Sequence, residues 1–213
     1  MRERIARAWE EACWALGIRA RSDTLSDLLT RYAEPHRHYH DLSHIDACLR
    51  LFEEHRGLAE RSGEVIAALL FHDAVYDPTR DDNEARSAEL ARSALSGAPQ
   101  DAIERIAAAI AATRTHVTDE SPDIALVLDV DLSILGADPE TYDFFERAIR
   151  AEYRHVPEEL YRVGRRAVLE RFEERECIYR APRLRDAFET SARANLRRAI
   201  AALSVVRRDG DQR

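Results

Sequence analysis

At 213 residues the chain is long enough for one sizeable core, and its 45% apolar and 34% charged residues, with no apolar run of membrane-spanning length, suit a water-soluble protein. A net charge of -8 disfavours nonspecific attraction to nucleic acid or anionic lipid. All 32 basic residues are arginine, which excludes lysine Schiff-base chemistry and a Walker-type lysine, and the seven glycines form no Gly-x-Gly loop to wrap a phosphate.

The N-terminal segment mixes Arg and Glu with apolar residues at helical spacing, so it lacks the uninterrupted apolar centre of a secretory signal. Cys13, Cys48 and Cys177 are odd in number, far apart and never in a Cys-x-x-Cys pair. That pattern argues against a disulfide framework or a thiolate metal site and points to a reducing, cytoplasmic setting.

Apolar periodicity predicts helices over 2–16, 24–33, 42–55, 63–73, 83–95 and 102–113, then over 122–135, 139–153, 158–175 and 184–205. The expected fold is all-α, one helical domain over 1–206 with a polar tail at 207–213. Within residues 123–135, Leu126, Leu128, Val130, Leu132 and Ile134 alternate with Val127, Asp129, Asp131 and Ser133 as a strand would, but the Ser121-Pro122 start and the length of the run favour a helix.

The third predicted helix begins in Tyr39-His-Asp-Leu-Ser-His44, where Asp41 or Ser43 can cap the first turn. His44 then lies inside the helix and is the preferred ligand of a metal ion. His40 falls before the start and is held in reserve, while His36, His38 and His40 also read plainly as loop histidines.

In the fourth, seven apolar residues from Val65 to Phe71 run straight into His72-Asp73. A helix buried on nearly every side would carry an imidazole and a carboxylate into the interior. Burying that carboxylate costs several kcal/mol, roughly, unless a partner or a cation compensates it. The plain alternative is an Asp that caps the next turn beside a His with one hydrogen bond.

Further along, Asp77 precedes Pro78 in a turn and Glu84 opens the fifth helix within an Asp-rich, polar segment. Asp77 reads as a turn former and Glu84 as an exposed helix-starting acid. Arg37 and Arg114 flank the histidine-bearing segments and are candidate phosphate-binding forks. His116 is a candidate for phosphate contact and reads equally as a solvated loop histidine. Asp129 and Asp131 stand in an otherwise apolar run and raise the same need for compensation as Asp73.

His44, His72, Asp73 and Asp131 together offer two nitrogens and two carboxylate oxygens, suited to Mn, Fe, Co, Ni or Zn, with Mg also considered and calcium disfavoured for want of oxygens. In the C-terminal third, aromatics beside arginines read as core rings with snorkelling side chains more readily than as a base-stacking surface.

The ordered pattern His44, His72-Asp73, Asp131 resembles the HD superfamily of metal-dependent phosphohydrolases. It is similar in particular to an uncharacterised bacterial subgroup, through Arg37-His-Tyr-His-Asp-Leu-Ser-His44-Ile, Phe71-His-Asp-Ala-Val-Tyr-Asp77, Asn83-Glu84-x-x-Ser87-Ala88 and Asp129-Val-Asp-Leu-Ser-Ile-Leu-Gly136. Further matching blocks are Arg150-Ala-Glu-Tyr153, Gly164-Arg165 and Ala192-Arg-x-Asn-Leu196, so the resemblance covers nearly the whole chain.

That resemblance implies an HD-like helical bundle with extra terminal helices. It makes His44, His72, Asp73 and Asp131 the ligands of one or two divalent ions, with Asp129 the alternate for the last and His40 and His116 in reserve. It implies hydrolysis of a nucleotide or another small phosphate ester, with Glu84 or Asp77 as the base. The alternatives are a two-iron oxygenase and a non-catalytic nucleotide sensor. A homodimer is expected, and neither a membrane nor a nucleic acid is an expected partner.

Overall fold

A computed structural model describes residues 1–117 and 121–205, and within them the regular structure is helical, with no strand. The ten α-helices are α1 (Arg2–Ala15), α2 (Ser22–Arg31), α3 (Leu42–His55), α4 (Ser62–Phe71) and α5 (Asn83–Ala94), then α6 (Gln100–Ala112), α7 (Pro122–Asp131), α8 (Pro139–Glu152), α9 (Glu158–Glu173) and α10 (Pro182–Ser204). Among the described residues no helix is long and apolar enough to cross a membrane. The tail expected at 207–213 lies outside the described residues.

The chain gathers into two compact units, Met1–Leu132 and Ser133–Arg213. In the first, α4 is the hub, packed by α1, α3, α5, α6 and α7. Its run Val65 to Phe71 is at most 1% exposed, because neighbours on every side leave no face for polar residues. Each such large side chain removed from water stabilises the fold by about 1.5–3 kcal/mol. Trp9 of α1 meets Phe71 edge-on at 6.0 Å between ring centres and closes the core over the end of α4.

Close approach of α1 to α4 depends on Gly63, where an added Cβ would overlap the Cβ of Ala15. Ala15 has no rotamer with which to yield. Gly63→Ala is therefore expected to lower stability by roughly 1–2 kcal/mol in urea denaturation, since overpacking of about 1–3 kcal/mol outweighs the helix-propensity gain of up to about 1 kcal/mol.

The ambiguous stretch near 124–134 is a helix, α7, with Pro122 in its first turn and Ser121 Oγ accepting from Ile124 N at 3.3 Å. It is tied to the chain ahead of α4 by Asp123, whose carboxylate accepts from the amides of Glu60 (2.8 Å) and Arg61 (3.1 Å). The α-helix stops at Asp131, short of the expected 135, and a 3-10 segment Leu132–Gly136 follows.

In the second unit α9 and α10 pack along each other. Buried Asn195 of α10 donates to the carbonyls of Leu135 (2.9 Å) and Ala137 (2.8 Å), which have no partners within a helix. Tyr142 donates to Glu146 (2.9 Å), which also accepts from Arg165 at 2.7 Å, so a part-buried ion pair carries its own hydrogen bonds.

Candidate metal centre

Asp41 caps α3: its side chain accepts from Ser43 N (2.7 Å) and His44 N (3.3 Å), which places His40 outside the helix and turns His44 inward in the first turn. His44 is 4% exposed and starts the buried stripe Ile45, Cys48, Leu49 and Phe52.

The fourth helix ends two residues earlier than the spacing predicts, and that ending builds half of the site. Two of its last carbonyls are taken by side chains: His72 Nδ1 lies 3.0 Å from Leu69 O, and Tyr32 Oη donates to Leu70 O at 3.0 Å. The Leu69 contact holds the proton on Nδ1 and presents Nε2 to the interior, the arrangement a metal-binding imidazole needs.

Arg37 then catches the turn. Its side chain is 0% exposed and donates to the carbonyls of His40 (2.9 Å), Asp73 (2.7 Å) and Ala74 (3.2 Å) and to Glu34 (3.0 Å). The rings of Tyr32 and Tyr76 lie 5.1 and 5.4 Å from the guanidinium carbon. This guanidinium, expected at a phosphate, is spent on the protein's own backbone and braces the His40 and Asp73 turns against each other.

The four preferred ligands converge. His44 Nε2 lies 3.1 Å from His72 Nε2, 3.6 Å from Asp73 Oδ2 and 3.2 Å from Asp131 Oδ1. His72 Nε2 lies 3.0 Å from Asp73 Oδ2 and 3.4 Å from Asp131 Oδ1. All four donor atoms fall within 4.8 Å of one another.

Donors about 2.1 Å from one cation stand about 3.0 Å apart at right angles and about 3.4 Å apart at the tetrahedral angle. Spacings of 3.0, 3.1, 3.2 and 3.4 Å fall in that range and that of 3.6 Å lies just beyond it, so the group could hold one metal ion. The histidine side chains are 2% and 1% exposed while those of Asp73 and Asp131 are 17% and 15% exposed, so access for water or a ligand lies on the carboxylate side.

The electrostatics express the same demand for positive charge. Burial opposes ionisation of both carboxylates. It is overcome for Asp73 chiefly by the charges of His72 and His40, and for Asp131 by the charge of His72 with hydrogen bonds from His116, His44 and His72, so both stay well below the ordinary 3.8. Burial likewise favours neutral His72, but Asp73 and Asp131 hold it well above the ordinary 6.5. Protons on imidazole and a divalent cation thus compete for one anionic pocket.

The other sequence candidates fall around this group. Asp129 is 1% exposed but two residues from Asp131 on α7, about 200° around the helix, and so belongs to another face. In a strand the two would have shared a face. His40 lies with its ring 6.1 Å from that of His44 and 4.3 Å from that of Tyr76, outside the four-donor group. His116 is also outside it and meets the far oxygen of Asp131 at 2.9 Å.

Asp77 Oδ1 accepts from Thr79 N (2.9 Å) and Oγ1 (2.7 Å), bonds that hold its carboxyl below the usual range and commit it to a turn. Glu84 is half-buried in the first turn of α5, next to Asn83, whose side chain both accepts from Asp77 N and donates to Asp77 O. Arg114 is exposed beyond the end of α6.

Sequence reasoning missed Cys48, whose Sγ lies 3.7 Å from His44 Nε2; its spacing of four from a helical His was the available signal. Burial, then the charges of Asp131 and Asp73, push its thiol pKa well up, so it is a neutral wall of the pocket. Tyr32 and Tyr76, the rings around Arg37, carried no signal in their spacing. Comparison of the chain with protein-family models, with curated proteins and with solved structures gave no match.

Proposed function

We propose that this chain is an HD-type metal-dependent phosphohydrolase acting on a nucleotide or another small phosphate ester. The observation that carries the reading is the convergence of His44, His72, Asp73 and Asp131, the residues the family resemblance names, with spacings suited to one cation. A divalent cation held there supplies Lewis acidity, lowering the pKa of water and offsetting phosphoryl charge.

The protein's own groups divide the remaining work. His44 and His72 would hold the cation from the buried side, and Asp73 and Asp131 would hold it from the more exposed side, the one open to substrate. Glu84 is the better proton acceptor of the two acids proposed, because Asp77 is engaged in its turn and its depressed pKa makes it a weak base. Arg114, exposed and uncommitted to backbone, supports a phosphate-binding role better than Arg37 does. Four clustered donors favour hydrolysis over the two-iron oxygenase, which needs additional ligands.

The test is a screen of chelator-stripped protein against nucleotides, sugar phosphates and cyclic dinucleotides, with Mn, Co or Ni added back. Phosphate or nucleotide product is expected only with added metal. Tight nucleotide binding without turnover under every metal would replace the hydrolase with a sensor, and turnover unaffected by chelator would overturn the reading.

A further inference from the structure

His116 has a feature that neither a solvated loop histidine nor a phosphate contact explains. Its backbone is left-handed, with φ of 51°, the single non-glycine residue with positive φ among those described. Such a conformation is unfavourable for a side chain with a Cβ and persists where the surroundings hold it. Here His116 N donates to Ala112 O at 2.8 Å, wrapping the chain off the end of α6, and the imidazole turns inward to 16% exposure.

Its Nε2 lies 2.9 Å from Oδ2 of Asp131. The other oxygen, Oδ1, is the one that faces His44 at 3.2 Å and His72 at 3.4 Å. The two oxygens of one carboxylate are thus divided between two tasks. A carboxylate beside a cation binds through one oxygen or through both, and the difference is one coordination position on the metal.

We propose that His116 is a positioning residue that keeps Asp131 a one-oxygen ligand and so preserves an open coordination position for water or substrate. The inference rests on the metal-site reading above. It gives His116 neither of the roles its sequence position suggests: it stands outside the four-donor group, and to grip a phosphate through Nε2 it would have to release Asp131. The left-handed backbone closes the end of α6, and from that position the ring reaches Oδ2.

The test titrates Co(II) into the chelator-stripped full chain, followed by calorimetry and visible absorption, for the natural sequence and for His116→Ala, His116→Gly and His116→Gln. Loss of an outer hydrogen bond to a ligand is expected to weaken Co(II) binding roughly 10–100-fold in the Ala and Gly variants. Their ligand-field bands are expected to weaken as Asp131 takes up both oxygens and the coordination number rises.

The glycine variant separates this from a folding defect, since φ of 51° suits glycine and offsets part of the stability lost with the His116–Asp131 hydrogen bond, and metal-free unfolding of the Gly and Ala variants reads that loss apart from metal affinity. Glutamine, whose amide can donate to the carboxylate, is expected to recover much of the affinity. Co(II) binding by His116→Gly with unchanged affinity and spectrum would overturn the proposal and leave the metal site standing. Failure of the natural sequence to bind Co(II), Mn(II) or Zn(II) would overturn both.

Discussion

Asp73→Ala and His72→Ala are each expected to abolish divalent-cation uptake, measured by equilibrium dialysis with elemental analysis, and with it any metal-dependent phosphate release. Both residues face the same point from the end of α4, within 3.0 Å of each other. Removing one donor from a four-donor set should exceed the roughly 10–100-fold loss that an outer partner costs. Metal content equal to that of the unaltered chain in both variants would sink the assignment.

The same cluster sets opposite pH dependences with and without metal. In chelator, the raised pKa of His72 contributes stability that is fully present below its ordinary 6.5 and is lost as pH rises through the raised value. The depressed pKa values of Asp73 and Asp131 contribute stability present above 3.8 and lost as pH falls through the lowered values. This cluster therefore stabilises the metal-free chain most between pH 3.8 and 6.5. Bound metal needs neutral imidazoles, so its contribution must grow as pH rises. Thermal unfolding across pH, with chelator and with Mn(II), should show the midpoint maximum move to higher pH when metal is present; an unmoved maximum would count against the site.

Arg37→Ala should be among the most destabilising single substitutions in the first unit, at about 3 kcal/mol or more in urea denaturation. It strands three carbonyls that the guanidinium now satisfies, that of Ala74 buried and those of His40 and Asp73 part-buried, and such losses run at about 1–3 kcal/mol per unsatisfied group. Arg37→Lys should recover only part, because an ammonium cannot span the fork. The effect is expected in the metal-free chain without substrate. A variant of full stability that lost only substrate affinity would return Arg37 to the phosphate-binding role.

Much of the helical framework was legible because its signal is local. Alternation of buried and exposed positions at helical spacing located α1 to α10 to within a few residues, and the unbroken apolar run Val65 to Phe71 announced a helix enclosed on every side. The Asp41 cap was visible as residue type and position, and it already favoured His44 over His40.

Other choices were beyond local pattern. Between Asp129 and Asp131 the spacing was silent, because a helix separates such a pair and a strand unites it; once α7 formed, only one of them shared a face with the site. For Arg37 and His116, composition and neighbourhood allowed a phosphate contact for each. What they touch was decided by distant partners, the carbonyls 36 and 37 residues from Arg37 and the carboxylate 15 residues from His116.

Local pattern is therefore enough to make the chain helical and to draw two imidazoles and several carboxylates into apolar surroundings needing positive charge. Which four of them meet within 4.8 Å is set by how α3, α4 and α7 pack against one another, a long-range matter that no residue's type or spacing carries.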